Sequence, residues 1–308
     1  MDNQISVCIL MTSFNGEKFI CEQLESVFSQ TFENWQLFIS DDGSTDKTIE
    51  IILEYQKKWG KKIQLRNGPQ KGFAENFLSL ACDKNLIADF YAFCDQDDVW
   101  LPQKLEVAIN QINNACLNNE PYLYFGRTVY VDEQLKAIGQ STLFKQPPSF
   151  DNALVQSIAG GNTMIFNRAS KLVIETVGMV PTPSHDWWLY LLISGAGGKV
   201  FYDPTPLVLY RQHGNSIVGE NTSFFNQFKR FLKLVDGGFK KWTDSNIKCL
   251  QMAGNVLTHS ANESLNILIN IRQLSWLYKI INLNSFRYNR QSSFQNLILK
   301  IAFLMNKI

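Results

Sequence analysis

The sequence lacks the features of a secreted or membrane-spanning protein. Its six cysteines are scattered over 308 residues without a Cys-x-x-Cys pair, a pattern typical of reduced thiols rather than a disulfide framework. The opening Met1-Asp2-Asn3-Gln4 has neither the basic region nor the apolar core of a signal peptide. No stretch approaches the roughly 20 apolar residues that span a bilayer. We therefore expect a cytoplasmic protein that is not integral to a membrane.

Acidic residues are scarce in the last third of the chain. After Ser223 there are twelve Lys and Arg but only three acidic residues, whereas the preceding part has 17 bases and 25 acids. The formal net charge of +1 hides this asymmetry. A basic surface favours an anionic partner, so a membrane face or a phosphate-bearing acceptor would suit this region.

The first 130 residues alternate between apolar strands and amphipathic helices. Strands are predicted at 5–11, 35–40, 63–65 and 90–94, and helices from about residue 17, after residue 45 and over 72–86. This alternation predicts right-handed βαβ units and an α/β fold with a mostly parallel, Rossmann-like sheet covered on both faces.

The pattern changes after Pro121. Further strands are predicted at 122–131, after the Gly-rich turn at 159–163 and at 200–202, whereas residues 224–308 are mainly helical by pattern. No repeat or disordered linker interrupts the chain. We therefore predict a nucleotide-binding and catalytic domain over 1–223 and a basic helical region over 224–308.

Four polar residues, Asp95-Gln96-Asp97-Asp98, directly follow the predicted buried strand at 90–94. Crowded carboxylates repel one another and are costly to desolvate, and a divalent cation such as Mg²⁺ or Mn²⁺ offsets both effects. If the strand continues, Asp95 and Asp97 lie on one side, so an Asp-x-Asp pair faces one ligand. The alternative is a solvated acidic loop that caps the helix starting near Pro102.

A second acidic pair, Asp41-Asp42, follows the second predicted strand. An acid at this position of a doubly wound sheet is well placed to accept hydrogen bonds from the base or ribose of a nucleotide. We assign Asp42 to the base and Asp95 to the ribose, with Thr12 and Phe14 lining the same pocket. The competing interpretation is that Asp41-Asp42-Gly43 is only a turn.

Seven segments together resemble the family 2 glycosyltransferases of the GT-A fold. Residues 6–16, 29–32 and 40–46 are similar to the opening of that family, and residues 93–102 to its Asp-x-Asp segment. Residues 160–162, 184–188 and 210–216 are similar to its rhamnosyltransferase-type members. The segments occur in the same order and cover about residues 5–218.

The resemblance implies transfer of a sugar from a nucleotide diphosphate to an acceptor hydroxyl, with inversion at the anomeric carbon. It implies that Asp97 binds a Mg²⁺ or Mn²⁺ ion that stabilises the departing diphosphate. Such ions usually keep only one or two protein carboxylates. The implied setting is O-antigen or capsular polysaccharide synthesis on a lipid-linked acceptor, with rhamnose from dTDP-rhamnose as the favoured sugar.

The resemblance also implies that Asp186 is the base that takes the acceptor proton. Trp187 and Trp188 would then form a platform for a sugar face, although Asp186 is equally suited to cap a helix. Relatives often have an acidic residue where this chain has His185. A neutral imidazole there would disturb the base little, whereas a protonated one would stabilise its carboxylate.

Two further segments are assigned to the donor by resemblance. His213 would be a third metal ligand through its neutral imidazole, and Arg211 would contact a phosphate as a charged fork. Gly161 and Asn162 would let the backbone approach the sugar closely. A structural or solvated histidine and an ordinary tight turn are the respective alternatives.

The end of the chain has a broad apolar stripe formed by Phe294, Leu297, Ile298, Ile301, Ala302, Leu304 and Met305. Packing against the catalytic domain explains such a stripe, and the basic bias adds peripheral docking on an anionic cytoplasmic leaflet as a second role.

Two other functions are open from the sequence. A sugar-phosphate nucleotidyltransferase would have a Gly-rich signature with Arg and Lys after the first strand, and residues 12–16 contain neither base. A non-catalytic nucleotide- or glycan-binding module would not need Asp42, Asp95, Asp97, Asp186 and His213 together.

Overall fold

The computed structural model describes residues 5–115, 120–212 and 238–308, and within them the chain forms one sheet flanked by helices. The strands are β1 (Val7–Ser13), β2 (Trp35–Asp41), β3 (Ile63–Asn67), β4 (Phe90–Cys94), β5 (Val99–Trp100), β6 (Tyr122–Val131), β7 (Ala137–Gln140), β8 (Ile165–Asn167) and β9 (Lys199–Arg211). The helices are α1 (Ile20–Phe28), α2 (Thr48–Trp59), α3 (Phe73–Ala81), α4 (Lys104–Ala115), α5 (Phe150–Ala153), α6 (Arg168–Val177), α7 (His185–Gly195), α8 (Gly238–Met252), α9 (His259–Gln273), α10 (Trp276–Ile281) and α11 (Ser293–Leu304).

The sheet is parallel in its first half and mixed in its second. Its order is β3-β2-β1-β4-β8-β6-β9-β5, with β7 paired to β6. Strands β1 to β4 pair in parallel, and β8 runs antiparallel to both β4 and β6. The predicted α/β class with flanking helices and a helical C-terminal region is confirmed. Apart from the short β5, which pairs antiparallel with β9, the sheet departs from parallel pairing after residue 121, where the βαβ alternation in the sequence ends.

Both faces of the sheet are covered, which explains why β1 is apolar without interruption. All seven residues of β1 are buried. Ile9 belongs to the core shared with α1, α2 and α4, whereas its neighbour Leu10 belongs to the core shared with α3, α7 and the C-terminal helices. Alternate residues of one strand therefore stabilise opposite layers.

The C-terminal helices pack on the second of these cores. Trp187 stacks on Phe239 at the start of α8, with ring centroids 5.9 Å apart. The hydroxyl of Tyr288 donates to the carbonyl of Ser264 at 2.7 Å. Leu250 and Leu299 are fully buried in the same cluster as Trp188. The predicted boundary between 223 and 224 lies outside the described residues.

The predicted stripe on α11 divides between two environments. Ile298 and Ala302 are buried, so packing against the rest of the protein accounts for them. Phe294, Leu297 and Met305 are about half exposed. The stripe is therefore part core and part surface.

The helices of the described part are too short or too polar to cross a bilayer. The longest of them, α8 and α9, have 15 residues each. A bilayer core requires about 20 residues of helix.

Candidate active site

The carboxyl ends of β1, β2 and β4 lie side by side. Met11 of β1 is opposite Cys94 of β4, and Ser13 is opposite Asp41 of β2, in parallel register. The N–H of Asp42 donates to the carbonyl of Ser13 at 2.8 Å. The loops that follow these strands therefore line one edge of the sheet, which is where open α/β sheets bind ligands.

The acidic tetrad forms a turn rather than an extension of β4. The strand ends at Cys94, and residues 95–98 turn into the short β5. Burial raises the pKa of Asp95 to about 8, and the nearby carboxylates of Asp97 and Asp186 add to the rise. Burial, with Asp97 and Asp95, also raises the pKa of Asp98 well above its usual range. The turn, and not the predicted strand alternation, therefore gathers these carboxylates, and it brings them close to Asp186.

Asp98, which the sequence analysis assigned to no role, is the buried centre of this turn. Its side chain is fully buried and accepts from Asn162 Nδ2 at 2.6 Å and from the N–H of Arg211 at 3.1 Å. It therefore ties the acidic turn to the 160–162 segment and to the end of β9. The sequence does contain a signal for the burial of Asp98, because the apolar pair Val99-Trp100 directly follows it. The end of a polar run that leads into an apolar pair is drawn towards the core.

Gln96 joins the acidic turn to the end of β1. Its Oε1 accepts from the N–H of Phe14 at 2.9 Å, and its Nε2 donates to the carbonyl of Phe14 at 3.0 Å. A Cβ on Gly16 would lie 2.2 Å from Gln96 Oε1, so a side chain at this position would displace the Gln96 amide from Phe14. Phe14 itself is 55% exposed beside this junction, which agrees with its predicted place at the pocket.

Asp186 is oriented by three donors at the start of α7. Its Oδ1 accepts from the Ser184 hydroxyl and from the N–H of Trp187 at 2.6 Å. Its Oδ2 accepts only a long bond among the described contacts, from the N–H of Gly161 at 3.3 Å. A carboxylate in the first helical turn is also favoured by the helix dipole. Oδ1 is therefore the anchored oxygen, and Oδ2 is the one with capacity to accept a proton.

His185 is a neutral aromatic spacer behind Asp186. Its ring stacks on Phe77 with centroids 4.0 Å apart, and neither ring nitrogen has a hydrogen-bond partner within the described residues. Burial lowers its pKa to about 4. A Cβ atom on Gly161 would lie only 2.6 Å from Nε2 of His185. Of the two alternatives for this position, the structure favours the neutral imidazole.

A buried lysine lies beneath the acidic turn. Lys104 is 1% exposed, and its Nζ lies 3.3 Å from the centroid of the Trp100 ring, with no hydrogen-bond partner in the described part of the chain. Burial lowers its pKa to about 7, although Asp98 and Asp95 act in the opposite direction. The sequence contains no signal for this burial, because a lysine two residues after Pro102 is an ordinary first-turn residue.

The structure does not support the predicted sugar platform. Trp187 and Trp188 are both buried, with 3% and 0% exposure. Trp187 Nε1 donates to the carbonyl of Ala153 at 2.7 Å, and Trp188 lies in the hydrophobic core. Helix α7 is apolar on all sides because it packs against the sheet, α5 and α8. The two indole rings therefore pack in the core beside Asp186 and do not present a face to a sugar.

The guanidinium of Arg211 is engaged by protein groups and not directed at a phosphate. Its side chain is buried, its Nε donates to the carbonyl of Asp97 at 2.9 Å, and Nη2 is paired with Glu22. The guanidinium also lies over the ring of Phe19 at 4.4 Å. These contacts correct the predicted phosphate fork and make Arg211 a structural support of the acidic turn. His213, the predicted third metal ligand, lies outside the described residues.

Asp42 shapes the loop that follows β3. Its Oδ1 accepts from the N–H of Gln70 at 2.6 Å and its Oδ2 from the N–H of Gly72 at 2.8 Å. Each oxygen keeps a second lone pair, so the predicted contact with a nucleotide base remains chemically open. Thr12 lies in β1 near the same edge, 8% exposed.

The donor set of the acidic turn fits a divalent cation bound largely by its ligand. Asp98 is buried and Asp95 and Asp97 are half-buried, and a cation would offset the repulsion among the three carboxylates. Within the described residues, no group of three or more His, Cys, Asp and Glu side chains is arranged to bind a metal ion. Mg²⁺ and Mn²⁺ usually take one or two protein carboxylates and complete their shell with phosphate and water.

Comparison with known proteins agrees with this geometry. The family model described as glycosyl transferase family 2 matches residues 8–170. The chain is 33% identical over 234 residues to the dTDP-rhamnosyl transferase RfbG of Shigella flexneri, which covers 71% of this chain and 77% of that protein. It is 35% identical over 124 residues, 40% of this chain and 46% of the relative, to the Escherichia coli UDP-Glc:alpha-D-GlcNAc-diphosphoundecaprenol beta-1,3-glucosyltransferase WfgD.

Solved structures share the fold at low identity. S. aureus TarS 1-349 in complex with UDP-GlcNAc matches 98% of this chain and 90% of its own with a TM-score of 0.55 at 13% identity. The mannosyltransferase PcManGT from Pyrobaculum calidifontis, in complex with GDP-Man and Mn2+, matches 99% and 86% with a TM-score of 0.52 at 15% identity. The GT-A architecture is thereby confirmed, and neither the nucleotidyltransferase nor the non-catalytic alternative is retained. This chain belongs to glycosyl transferase family 2 and is a glycosyltransferase.

Proposed function

We propose that the protein transfers a sugar from a nucleoside diphosphate to an acceptor hydroxyl with inversion at the anomeric carbon. The observation that carries this proposal is the link between Asp186 and the acidic turn through two adjacent residues: the N–H of Gly161 donates to Asp186 Oδ2 at 3.3 Å, and Asn162 Nδ2 donates to Asp98 at 2.6 Å. A base at the start of a helix and a diphosphate-binding turn beside it are the two groups that a single displacement needs on opposite sides of the sugar.

The reaction forms one bond and breaks one. The acceptor oxygen attacks the anomeric carbon, the bond from that carbon to the β-phosphate oxygen breaks, and its electron pair leaves with the nucleoside diphosphate. Asp186 Oδ2 takes the acceptor proton, while Ser184 and the N–H of Trp187 keep Oδ1 in place. The buried neighbours His185 and Trp188 exclude water from behind the base.

The acidic turn would bind the donor diphosphate through a divalent ion. Asp97 would be its first carboxylate ligand, and the ion, Mg²⁺ or Mn²⁺, would supply Lewis-acid stabilisation of the departing diphosphate. Asp95 would accept from the ribose and Asp42 from the base. Gln96 holds the acidic turn against the end of β1 through the backbone of Phe14.

The donor and acceptor are inferred from the relatives. The S. flexneri relative is named a dTDP-rhamnosyl transferase and matches over most of both chains, which favours dTDP-rhamnose. The E. coli relative is named for a diphosphoundecaprenol-linked acceptor, which favours a lipid-linked glycan such as an O-antigen or capsular precursor.

Release of nucleoside diphosphate from a panel of nucleotide sugars tests the proposal. The panel contains dTDP-rhamnose, UDP-glucose, UDP-GlcNAc and GDP-mannose, each with Mg²⁺, with Mn²⁺ or with EDTA. We expect metal-dependent release that is fastest from dTDP-rhamnose. Equal release in EDTA would refute the metal requirement, and preference for another donor would refute the rhamnose assignment.

The variant Asp186→Asn tests whether Asp186 acts as the base or instead binds the donor. We expect kcat to fall by roughly 10²- to 10⁴-fold, because general-base catalysis contributes about that much, while the donor KM changes little. The matched control is Asp151→Asn, at the N-terminus of the short helix α5, where the carboxylate pairs with Arg287. A loss confined to donor binding would contradict the assignment of Asp186 as the base.

A further inference from the structure

Helix α10 exposes its apolar side chains and buries a charged one, which is the reverse of an ordinary surface helix. Its apolar side chains are largely in solvent: Trp276 is 61% exposed, Leu277 57%, Tyr278 61% and Ile281 73%. Its buried side chain is a lysine, Lys279, at 1% exposure. A surface helix normally buries its apolar side chains and exposes its charged ones. This reversal needs a partner that accepts apolar groups.

Lys279 fixes the orientation of α10 against α11. Its Nζ donates to the carbonyl of Phe303 at 3.2 Å and to Asn306 Oδ1, and it lies 4.7 Å from the centroid of the Phe303 ring. The end of a helix carries unpaired carbonyls and partial negative charge, which a lysine satisfies well. The lysine is therefore a structural contact, and the apolar side chains of α10 are exposed as a consequence of it.

Helix α11 adds exposed apolar side chains of its own. Phe294 is 52% exposed, Leu297 56%, Ile301 38% and Met305 48%. We call these four side chains, together with the exposed residues of α10, the apolar face. Several large exposed apolar side chains on two helices that pack together are typical of interaction sites in soluble proteins.

The charge around the apolar face selects the partner. Residues 264–308 contain six Lys and Arg and no acidic residue. Arg272 and Arg287 pair with Asp244 and Asp151 from other elements, whereas Lys300 and Lys307 lie on and just beyond α11. An isologous contact with a second copy would bring these like charges together. An anionic lipid surface complements them.

We propose that the apolar face docks on an anionic bilayer surface, with α10 inserted at the level of the headgroups. Trp and Tyr are the side chains that favour this level, and six residues of helix lie in the interface without spanning it. The proposal rests on the proposed function only in that a lipid-linked acceptor would be presented at such a surface. It differs from docking of α11 alone, because α10 supplies the most exposed apolar side chains.

Binding of the full chain to vesicles tests the docking surface. The probes are vesicles of phosphatidylglycerol with phosphatidylcholine and vesicles of phosphatidylcholine alone. We expect cosedimentation with the anionic vesicles that weakens as salt is raised. The double variant Trp276→Ser, Ile281→Ser should bind these vesicles at least about tenfold more weakly, because two interfacial anchors are lost.

The control variant is Ile87→Ser, since Ile87 is as exposed as Ile281, at 73%, but lies just before β4. It should bind vesicles like the wild type. Equal weakening by Ile87→Ser, or no vesicle binding by the wild type, would overturn the proposal. So would a wild-type oligomer that the double variant dissociates, because the apolar face would then be an interface between copies.

Release of nucleoside diphosphate from a soluble donor keeps this test separate from the proposed function. The double variant should release it at the wild-type rate and show the wild-type urea midpoint, because the substituted side chains are exposed and distant in sequence from the acidic turn. Loss of release together with a lowered midpoint would instead show that α10 is needed for the fold, and would overturn the assignment of its exposed residues to docking.

Discussion

The acidic turn and the apolar face each depart from the usual distribution of polarity, in opposite senses. In the acidic turn, Asp98 and the nearby Lys104 are buried below 2% exposure. In the apolar face, Trp276 and Ile281 are exposed. Both arrangements cost free energy in the isolated protein, since buried charge loses solvation and exposed apolar surface orders water.

The two regions differ in how the protein offsets that cost. Asp98 receives internal donors from Asn162 and Arg211, so the acidic turn is organised before any ligand arrives. The side chains that α10 exposes lie largely in solvent, and Lys279 holds the helix against α11. A preorganised polar cluster suits a small charged ligand, whereas an open apolar surface suits a broad partner.

The largest expected effect is that of Asp97→Asn. Removing one carboxylate charge from the acidic turn should lower turnover by roughly 10³-fold, because electrostatic stabilisation of the departing diphosphate is lost. The fold should persist, so the urea midpoint checks that the loss is chemical. Unchanged turnover would remove Asp97 from the metal site and leave the acidic turn without its proposed role.

A pair of tryptophans compares core and surface directly. Trp188→Ala should lower the free energy of unfolding by about 3–5 kcal/mol, because it opens a cavity in the core. Trp276→Ala should change it by less than about 0.5 kcal/mol, since its side chain is largely in solvent. Urea denaturation measures both. Similar losses would mean that α10 is part of the core.

The third effect is a pH dependence of stability that comes from His185. Its pKa is about 4 in the folded protein against a usual 6.5. Between these values the unfolded chain binds a proton that the folded protein does not, so stability is complete above pH 6.5 and is lost as the pH falls towards 4. The loss is at most about 3 kcal/mol, at 1.36 kcal/mol per pKa unit.

His185→Gln should remove this part of the acid sensitivity. The measurement is the difference in unfolding free energy between pH 7 and pH 4.5 for wild type and variant. His259→Gln, at an exposed position, is the matched control and should keep the wild-type difference. If His185→Gln also keeps the wild-type difference, the imidazole is protonated in the folded protein, and the assignment of His185 as a neutral ring is wrong.

The smallest expected effect is that of Gln96→Ala. The variant loses two hydrogen bonds to the backbone of Phe14, worth about 1 kcal/mol each. We expect the donor KM to rise by roughly 3- to 30-fold and the free energy of unfolding to fall by up to about 2 kcal/mol. Gln64→Ala, on the exposed side of β3, is the control. An unchanged KM would show that the end of β1 and the acidic turn keep their arrangement without Gln96.

Local pattern was a good guide to the elements of the first half of the chain. The strands at Phe90–Cys94 and Tyr122–Val131 have the predicted bounds, because the first is an uninterrupted apolar run and the second is rich in aromatic and β-branched residues. The strand predicted at 200–202 extends over Lys199–Arg211. Its length comes from pairing with β6 at nine residue pairs, which the sequence of β9 alone does not reveal.

The roles of the site residues divide in the same way. The acidic loops after β2 and β4 were predicted to converge, and parallel register brings them to one edge. The predicted roles of Trp187, Trp188 and Arg211 were wrong. The sequence does not distinguish a tryptophan or arginine that faces solvent from one that is buried in the core.

The sequence by itself determined the family, the order of the elements and the position of the acidic residues, because these depend on local periodicity and on motifs. Only the tertiary structure decided which side chains are buried: Asp98 and His185 inside, Trp276 outside. Burial depends on contacts between residues far apart in the chain, such as Asn162 with Asp98 or Lys279 with Phe303. Those contacts set the charge of the site and the exposure of its surroundings.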